Sequence, residues 1–187
     1  MNSNRFDSIE YLKAFQVSGR FPAIHDDIFA LIISEGHGCR FLDLCCSTGL
    51  LAQRLMKFGG AMFAMGVDGD ERAIKAGVEH GVTVPMALLN IGPDTLPELT
   101  QIIGANGISA VVARRCLPEL LGERPEMDRP FADALAAGGA KEVFIEGRVK
   151  TARAVNRLCD VEKEAAAIAS RYRVANRRRS CLRLVLA

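Results

Sequence analysis

A chain of 187 residues, 49% hydrophobic and 25% charged, can bury a large core and lacks the bias of a disordered or fibrous protein. No apolar run reaches the ~18 residues that span a bilayer, and the opening MNSNRFDSIE has no basic segment followed by an apolar stretch. No membrane partner and no secretory leader are therefore expected, and the expected location is cytoplasmic. The formal net charge of +2 discriminates little, but its distribution is uneven: Arg171, Arg173, Arg177, Arg178, Arg179 and Arg183 close the chain with no acidic residue among them.

Strand and helix patterns alternate along the chain, which predicts a parallel sheet with helices on both faces. A helical segment over Ser8–Gln16 passes through Ser18-Gly19-Arg20 to Phe21-Pro22, and a second helix covers about Ile24–Ser34. The first strand is Arg40–Leu44. Its helix, Leu50–Phe58, sets Leu51, Leu55 and Phe58 on one face and stops at Gly59-Gly60. The second strand is Ala61–Val67. Asp70 caps the next helix, whose expected buried face is Ala73, Ile74, Gly77 and Val78, ending at Gly81. The third strand is about Thr83–Leu89, followed by a helix marked by Leu96, Leu99, Ile102 and Ile103 and ended by Gly104. Ile108–Ala113 and Glu142–Glu146 are the fourth and fifth strands, joined through a helix over about Asp128–Ala137 that buries Phe131 and Leu135. Asp160 caps a late helix with Val161, Ala165 and Ile168 on one face. Strands Tyr172–Ala175 and Cys181–Leu186 flank a polar loop, Asn176–Ser180, that reads as a hairpin. The expected fold is α/β: a three-layer sandwich around a mostly parallel seven-stranded sheet with a C-terminal antiparallel strand. The expected organisation is a single domain over 1–187, with 1–36 as an N-terminal helical cap.

The site expectation rests on Phe41–Leu51, FLDLCCSTGLL. A strand that passes through a turn of small residues into a helix lets a ligand approach the backbone and points helix N–H groups at it. In open parallel sheets, ligands bind at the carboxyl ends of the strands, where strand order reverses. Asp43 and Asp68 stand at or just past the ends of two successive strands, so neighbouring strands would bring both to one rim. A carboxylate at Asp68 can accept both hydroxyls of a ribose, since it offers two acceptor oxygens. Asp43 can hold the N–H groups of the turn or receive an ammonium. The plainer alternative is that both aspartates only cap the turns after them. A dinucleotide would favour GxGxxG; Cys45-Cys46-Ser47-Thr48-Gly49-Leu50 places leucine at the third glycine position. No GxxxxGK[ST] loop is present either, which argues against a P-loop nucleotide hydrolase.

LDLCCSTG at Leu42–Gly49 and GVDGDERAIKAG at Gly66–Gly77 together resemble the first two motifs of class I S-adenosylmethionine-dependent methyltransferases. The resemblance spans roughly Ile24–Ala187. It implies S-adenosyl-L-methionine as cofactor and methyl transfer to an unidentified acceptor. By that resemblance Asp43, Cys45 and Gly49 line the methionine part, Asp68 binds the ribose hydroxyls and Gly69 lies near the adenine. Asn90 falls where the family usually carries an adenine-binding aspartate, and Ala113 and Arg114 face the sulfonium and substrate. Ser47 replaces a family glycine, and Ser109 stands where an aspartate commonly opens the fourth strand. These departures keep open an alternative: a methyltransferase fold with weak or lost activity that serves as a binding or regulatory module.

ARRCLP at Ala113–Pro118 does not name the acceptor. Cys116 is a candidate nucleophile or a packed thiol. Arg114 and Arg115 either clamp an anionic acceptor or pair with Glu119. An anionic acceptor, small molecule or nucleic acid, also suits the arginines Arg177, Arg178 and Arg179 in the last hairpin, expected at the rim; the alternative is a solvated turn. Few aromatics (9 Phe, 2 Tyr, no Trp) weaken the nucleic-acid version. His25 either closes the site from the cap or packs as an ordinary histidine. A metal site from His37, Cys39, Cys45 and Cys46 would need four converging ligands; reduced, buried thiols fit the six cysteines better, and no metal is expected.

Overall fold

Seven strands form one sheet in the computed structural model, which describes residues 8–36, 38–147, 157–158 and 160–187. They are β1 (Arg40–Leu44), β2 (Phe63–Asp68), β3 (Met86–Leu88), β4 (Ala110–Arg114), β5 (Glu142–Glu146), β6 (Tyr172–Arg178) and β7 (Cys181–Leu186), in the order β3-β2-β1-β4-β5-β7-β6. The first five are mutually parallel, and β7 runs antiparallel to both β5 and β6. The chain first builds outward from β1 to β3, then returns to place β4 on the other side of β1. That reversal opens the crevice between the carboxyl ends of β1 and β4.

Alternation along the strands divides the core in two. Leu42, Leu44, Val111 and Val143 enter one cluster, and Phe41, Ala110, Val112 and Phe144 the other. Helices α5 (Leu96–Ala105), α7 (Asp128–Gly138) and α8 (Val161–Ala167) cover the first, while α1 (Ser8–Ser18), α2 (Asp26–Glu35) and α3 (Leu50–Phe58) cover the second. The result is the expected three-layer arrangement. Helix α4 (Glu71–Glu79) follows β2, and the short α6 (Leu117–Leu120) follows β4.

Both predicted acidic caps are in place: the Arg72 N–H donates to Asp70 Oδ1 at 3.0 Å, and the Lys163 N–H to Asp160 Oδ1 at 3.0 Å. Several details differ from the sequence reading: β2 covers Phe63–Asp68 rather than Ala61–Val67, and β4 covers Ala110–Arg114 rather than Ile108–Ala113. Val78 is 60% exposed, and α4 buries Ala76 beside the expected Gly77. Phe58 lies largely outside the core and packs edge-on against Phe21, centroids 5.9 Å apart. The third strand is three residues rather than the seven of Thr83–Leu89, because Pro85 has no N–H for the ladder. Finally, β6 runs on to Arg178, pairing Arg177 with Leu182 and Arg178 with Cys181, so Arg179 and Ser180 make the hairpin turn. As an edge strand, β6 can carry such exposed charged residues. Its pairing shifts register between Val174 and Asn176.

Helix α2 and the turn before it are tied to α3 by polar and aromatic contacts. Arg54 pairs with Asp26 at 2.8 Å, reaches the Pro22 carbonyl at 3.4 Å, and stacks 4.1 Å from the Phe29 centroid.

Candidate active site

The turn after β1 has an unusual backbone. Cys45, Ser47 and Gly49 all hold positive φ, at 51°, 53° and 76°. Only the last is glycine, so the other two carry the left-handed strain of an L side chain. Every second residue therefore turns left-handed, at the spacing of the glycines in LDxGxGxG, and the departure at Ser47 has not unfolded the loop. Two close approaches brace it. A Cβ on Gly66 would come 2.4 Å from Cys46 Sγ, and one on Gly77 would come 2.3 Å from the Thr48 carbonyl oxygen. Both β2 and α4 thus press directly on the turn.

The two aspartates hold this turn from below and beside it. Asp43 is fully enclosed beneath the start of α3, where the Ala52 N–H helps to hold its carboxyl down. Burial pushes its carboxyl up to about 7, against the pull of Arg114, with Asp68 adding to the rise. Asp68 accepts the Ser47 N–H on Oδ2 at 2.7 Å and the Asp70 N–H on Oδ1 at 2.8 Å. Each oxygen keeps a second lone pair for an incoming hydroxyl. Both aspartates therefore do the local work of the plainer reading, and Asp68 retains capacity for a ligand.

A cavity of about 530 Å³ opens over this rim. Of the residues named from the sequence, Asp43, Cys45, Asp68, Gly69, Asn90 and Arg114 line it. Gly69 and Asn90 are adjacent, a Cβ on Gly69 lying 3.4 Å from the Asn90 Cα. Gly49 and Ala113 are not on the wall. Gly49 sits under the turn with Met86 Sδ 2.6 Å from its Cβ position, and Ala113 is fully buried in the core. Ser109 accepts the Arg40 N–H at 3.2 Å and so ties β4 to β1 at the end away from the cavity.

The far side of the cavity is cationic. Arg114 and Arg115 share one buried carboxylate, Glu146 at the end of β5, at 3.2 Å and 2.8 Å. Glu146, rather than Glu119, is the observed ion-pair partner. The sequence showed only its place as the last residue of a strand, and the pairing across β4 and β5 was not legible. Arg115 itself holds φ 56°. His25, from the turn before α2, also lines the cavity; burial and then the charges of Arg114, Arg54 and Arg115 drive it down to about 3, so its ring is neutral. Tyr11 and Arg124 join the wall without having been singled out.

Cys116 is buried, and the influence of the Cys45 thiol, then burial, pushes its own thiol well above the ordinary range. A neutral thiol is a poor nucleophile, so the packed-thiol alternative holds. Among the described residues no cluster of three or more His, Cys, Asp or Glu can hold a metal ion; His37 and Cys159 lie outside those residues. Arg177, Arg178 and Arg179 do not line the cavity. Arg177 pairs with Glu162, and Arg179 with Asp27 at 2.8 Å. No helix among the described residues is long and apolar enough to cross a membrane.

The residues present fit an adenosyl group with an amino-acid tail: a left-handed turn open to close approach, a carboxylate with spare acceptor capacity, and a buried carboxylate for an ammonium. No family model matches the sequence, and no curated protein matches it. Solved structures do resemble it. Magnesium protoporphyrin IX methyltransferase from Synechocystis PCC 6803, with bound SAH, aligns at a TM-score of 0.63 and 16% identity over 100% of this chain and 96% of that one. A SAM-dependent methyltransferase from Aquifex aeolicus aligns at 0.58 and 15% over 97% and 98%. An uncharacterised protein from Listeria monocytogenes serotype 4b aligns at 0.59 and 13%; the alignment covers 85% of this chain but only 66% of that longer one. The fold is that of the class I methyltransferases.

Proposed function

We propose that the protein binds S-adenosyl-L-methionine over the carboxyl ends of β1 and β2 and transfers its methyl group to an acceptor held over β4. The observation that carries this reading is the turn itself: left-handed φ at residues 45, 47 and 49, locked by its Ser47 N–H to the Asp68 carboxylate. When bound, the cofactor supplies an electrophilic methyl group on a sulfonium. Asp68 accepts the ribose hydroxyls on its remaining lone pairs. Asp43 ionises to receive the ammonium. Cys45 and Gly49 keep the turn close to the methionine part, and Gly69 with Asn90 borders the adenine, Asn90 accepting the exocyclic amine through its carbonyl oxygen. Arg114 brings the end of β4 to the transferring end, with Ala113 packed in the core behind it. His25 and Tyr11 close the cavity from the cap and exclude water. The chain's contribution is alignment, which alone can supply a large share of a transfer barrier.

The weak-or-inactive alternative rested on the departures at Ser47, Ser109 and Asn90 and on the arginine-rich end. Ser47 adopts the angle that the family's glycine would, and Asn90 sits beside Gly69, so neither removes the cradle. The test is calorimetric titration with S-adenosylhomocysteine, followed by methyl transfer from labelled cofactor into fractionated lysate. Asp68→Ala is expected to weaken S-adenosylhomocysteine by ~1–3 kcal/mol. Equal affinity in the variant would reject the assignment.

A further inference from the structure

We infer that the methyl acceptor carries a compact acidic group, a carboxylate or phosphate, bound by Arg114 and His25 on the β4–β5 side of the cavity. The inference rests on the methyl-transfer reading and names its substrate class.

Four buried polar atoms on this side lack a hydrogen-bond partner; Arg115 Nε and Glu146 Oε2 are held in the ion-pair cluster, which leaves Arg114 Nη2 and His25 Nδ1. Arg114 is 13% exposed; its Nε meets Glu146 at 3.2 Å and the Ile24 carbonyl at 3.3 Å, while Nη2 is buried with no hydrogen-bond partner. His25 is 7% exposed, and its Nδ1 is likewise buried and unpartnered. Buried polar groups are nearly always satisfied, so a pair of orphans on one cavity wall points to a ligand.

Charge specifies the ligand's sign. Among the described residues Glu146 is the carboxylate that pairs with Arg114 and Arg115, Asp43 acts on Arg114 without an ion-pair contact, and Arg54 is already paired with Asp26. One carboxylate between two guanidinium groups leaves a surplus positive charge beside a low-dielectric wall. Arg124, on the same wall, has no carboxylate partner among the described residues. A neutral His25 can donate one N–H without adding charge. An anion's oxygens can therefore accept from Arg114 Nη2 and from the imidazole together.

Position specifies its source. Arg114 ends β4 and Glu146 ends β5, whereas Asp43 and Asp68 end β1 and β2. The cationic wall thus lies across β1 from the ribose carboxylate. Because its unpartnered donors are buried in the cavity wall, a compact acid suits them better than an extended polynucleotide backbone.

Inorganic phosphate and benzoate are the probes, titrated into the whole protein with and without saturating S-adenosylhomocysteine. In the wild type, a bound probe is expected to raise the His25 titration, followed by imidazole NMR, because it offsets Arg54, Arg114 and Arg115; Asp26 and Glu146, their fixed counter-ions, are unchanged. His25→Gln identifies the signal. Arg114→Gln is expected to weaken probe binding at least about tenfold. If that variant does not fold, the wild-type His25 titration decides. The inference is overturned if the probes leave His25 unmoved or are expelled by S-adenosylhomocysteine. It is also overturned if Arg114→Gln weakens S-adenosylhomocysteine but not 5′-methylthioadenosine, since the guanidinium would then serve the cofactor's own carboxylate. Probe binding in a wild type that never binds S-adenosylhomocysteine would reject the methyl-transfer reading instead, and the acceptor assignment with it.

Discussion

Replacing Asp43 with asparagine separates what this carboxyl costs the fold from what it does for a ligand. Asn keeps an oxygen for the Ala52 N–H and removes only the ionisation. The wild-type carboxyl moves from 3.8 to about 7 on folding. The folded state therefore holds the proton more tightly than the unfolded one. The associated stability is fully present below about 3.8 and is lost as pH rises through about 7. Asp43→Asn escapes that loss, so its gain should grow with pH. It amounts to roughly 2 kcal/mol at about pH 5 and roughly 4 kcal/mol at about pH 8.5. The assay is urea unfolding of both proteins at the two pH values. The same variant should bind S-adenosylhomocysteine more weakly, because no charge meets the ammonium. For the wild type, affinity should rise with pH and level off above about 7. A stability difference that does not change between the two pH values would refute the reasoning, since a pH-independent gain cannot come from ionising a buried acid.

Ser47→Gly removes a side chain from a residue at φ 53° and is expected to stabilise the fold by up to ~1 kcal/mol, with S-adenosylhomocysteine affinity unchanged or tighter; a lower melting temperature would show that the turn is not strained there. Gly77→Ala places a Cβ against the Thr48 carbonyl oxygen, so it should cost ~1–3 kcal/mol and weaken S-adenosylhomocysteine, both read in one thermal-shift series with and without ligand. Replacing Arg177, Arg178 and Arg179 together with glutamine should leave S-adenosylhomocysteine affinity intact and cost at most ~1 kcal/mol for each exposed pair lost, to Glu162 and Asp27. A weaker cofactor titration in that triple variant would bring the hairpin back to the site.

The parts of the fold that could be read from the chain are those whose causes are local. Arg40–Leu44 and Leu50–Phe58 were delimited to the residue because an apolar run, an aspartate and a glycine follow each other within ten positions. Asp70 and Asp160 were recognisable as caps because the capping group lies two or three residues from the amide it satisfies. Errors arose where an edge relaxes the pattern. Val82 and Val84 look like strand residues yet are buried outside the ladder, and Arg177 and Arg178 look like loop residues yet continue an edge strand. In the site, Asp43 and Asp68 were visible because they end strands. The grouping of Arg114, Arg115 and Glu146 was not, because it depends on β4 and β5 lying side by side across an intervening helix. His25 could be named but not placed, since its surroundings come from three separate segments.

The packing beneath the turn has a kinetic consequence. Gly66 and Gly77 let a strand and a helix touch Cys46 and Thr48 with no side chain between them, so the floor has no slack to take up when a ligand arrives. The opposite wall is the turn before α2, which Arg54 holds through Asp26 and Pro22 and Arg114 through the Ile24 carbonyl. Affinity should then follow the floor, and exchange rates the roof: loosening Arg54 would speed entry and exit alike, changing residence time far more than equilibrium binding.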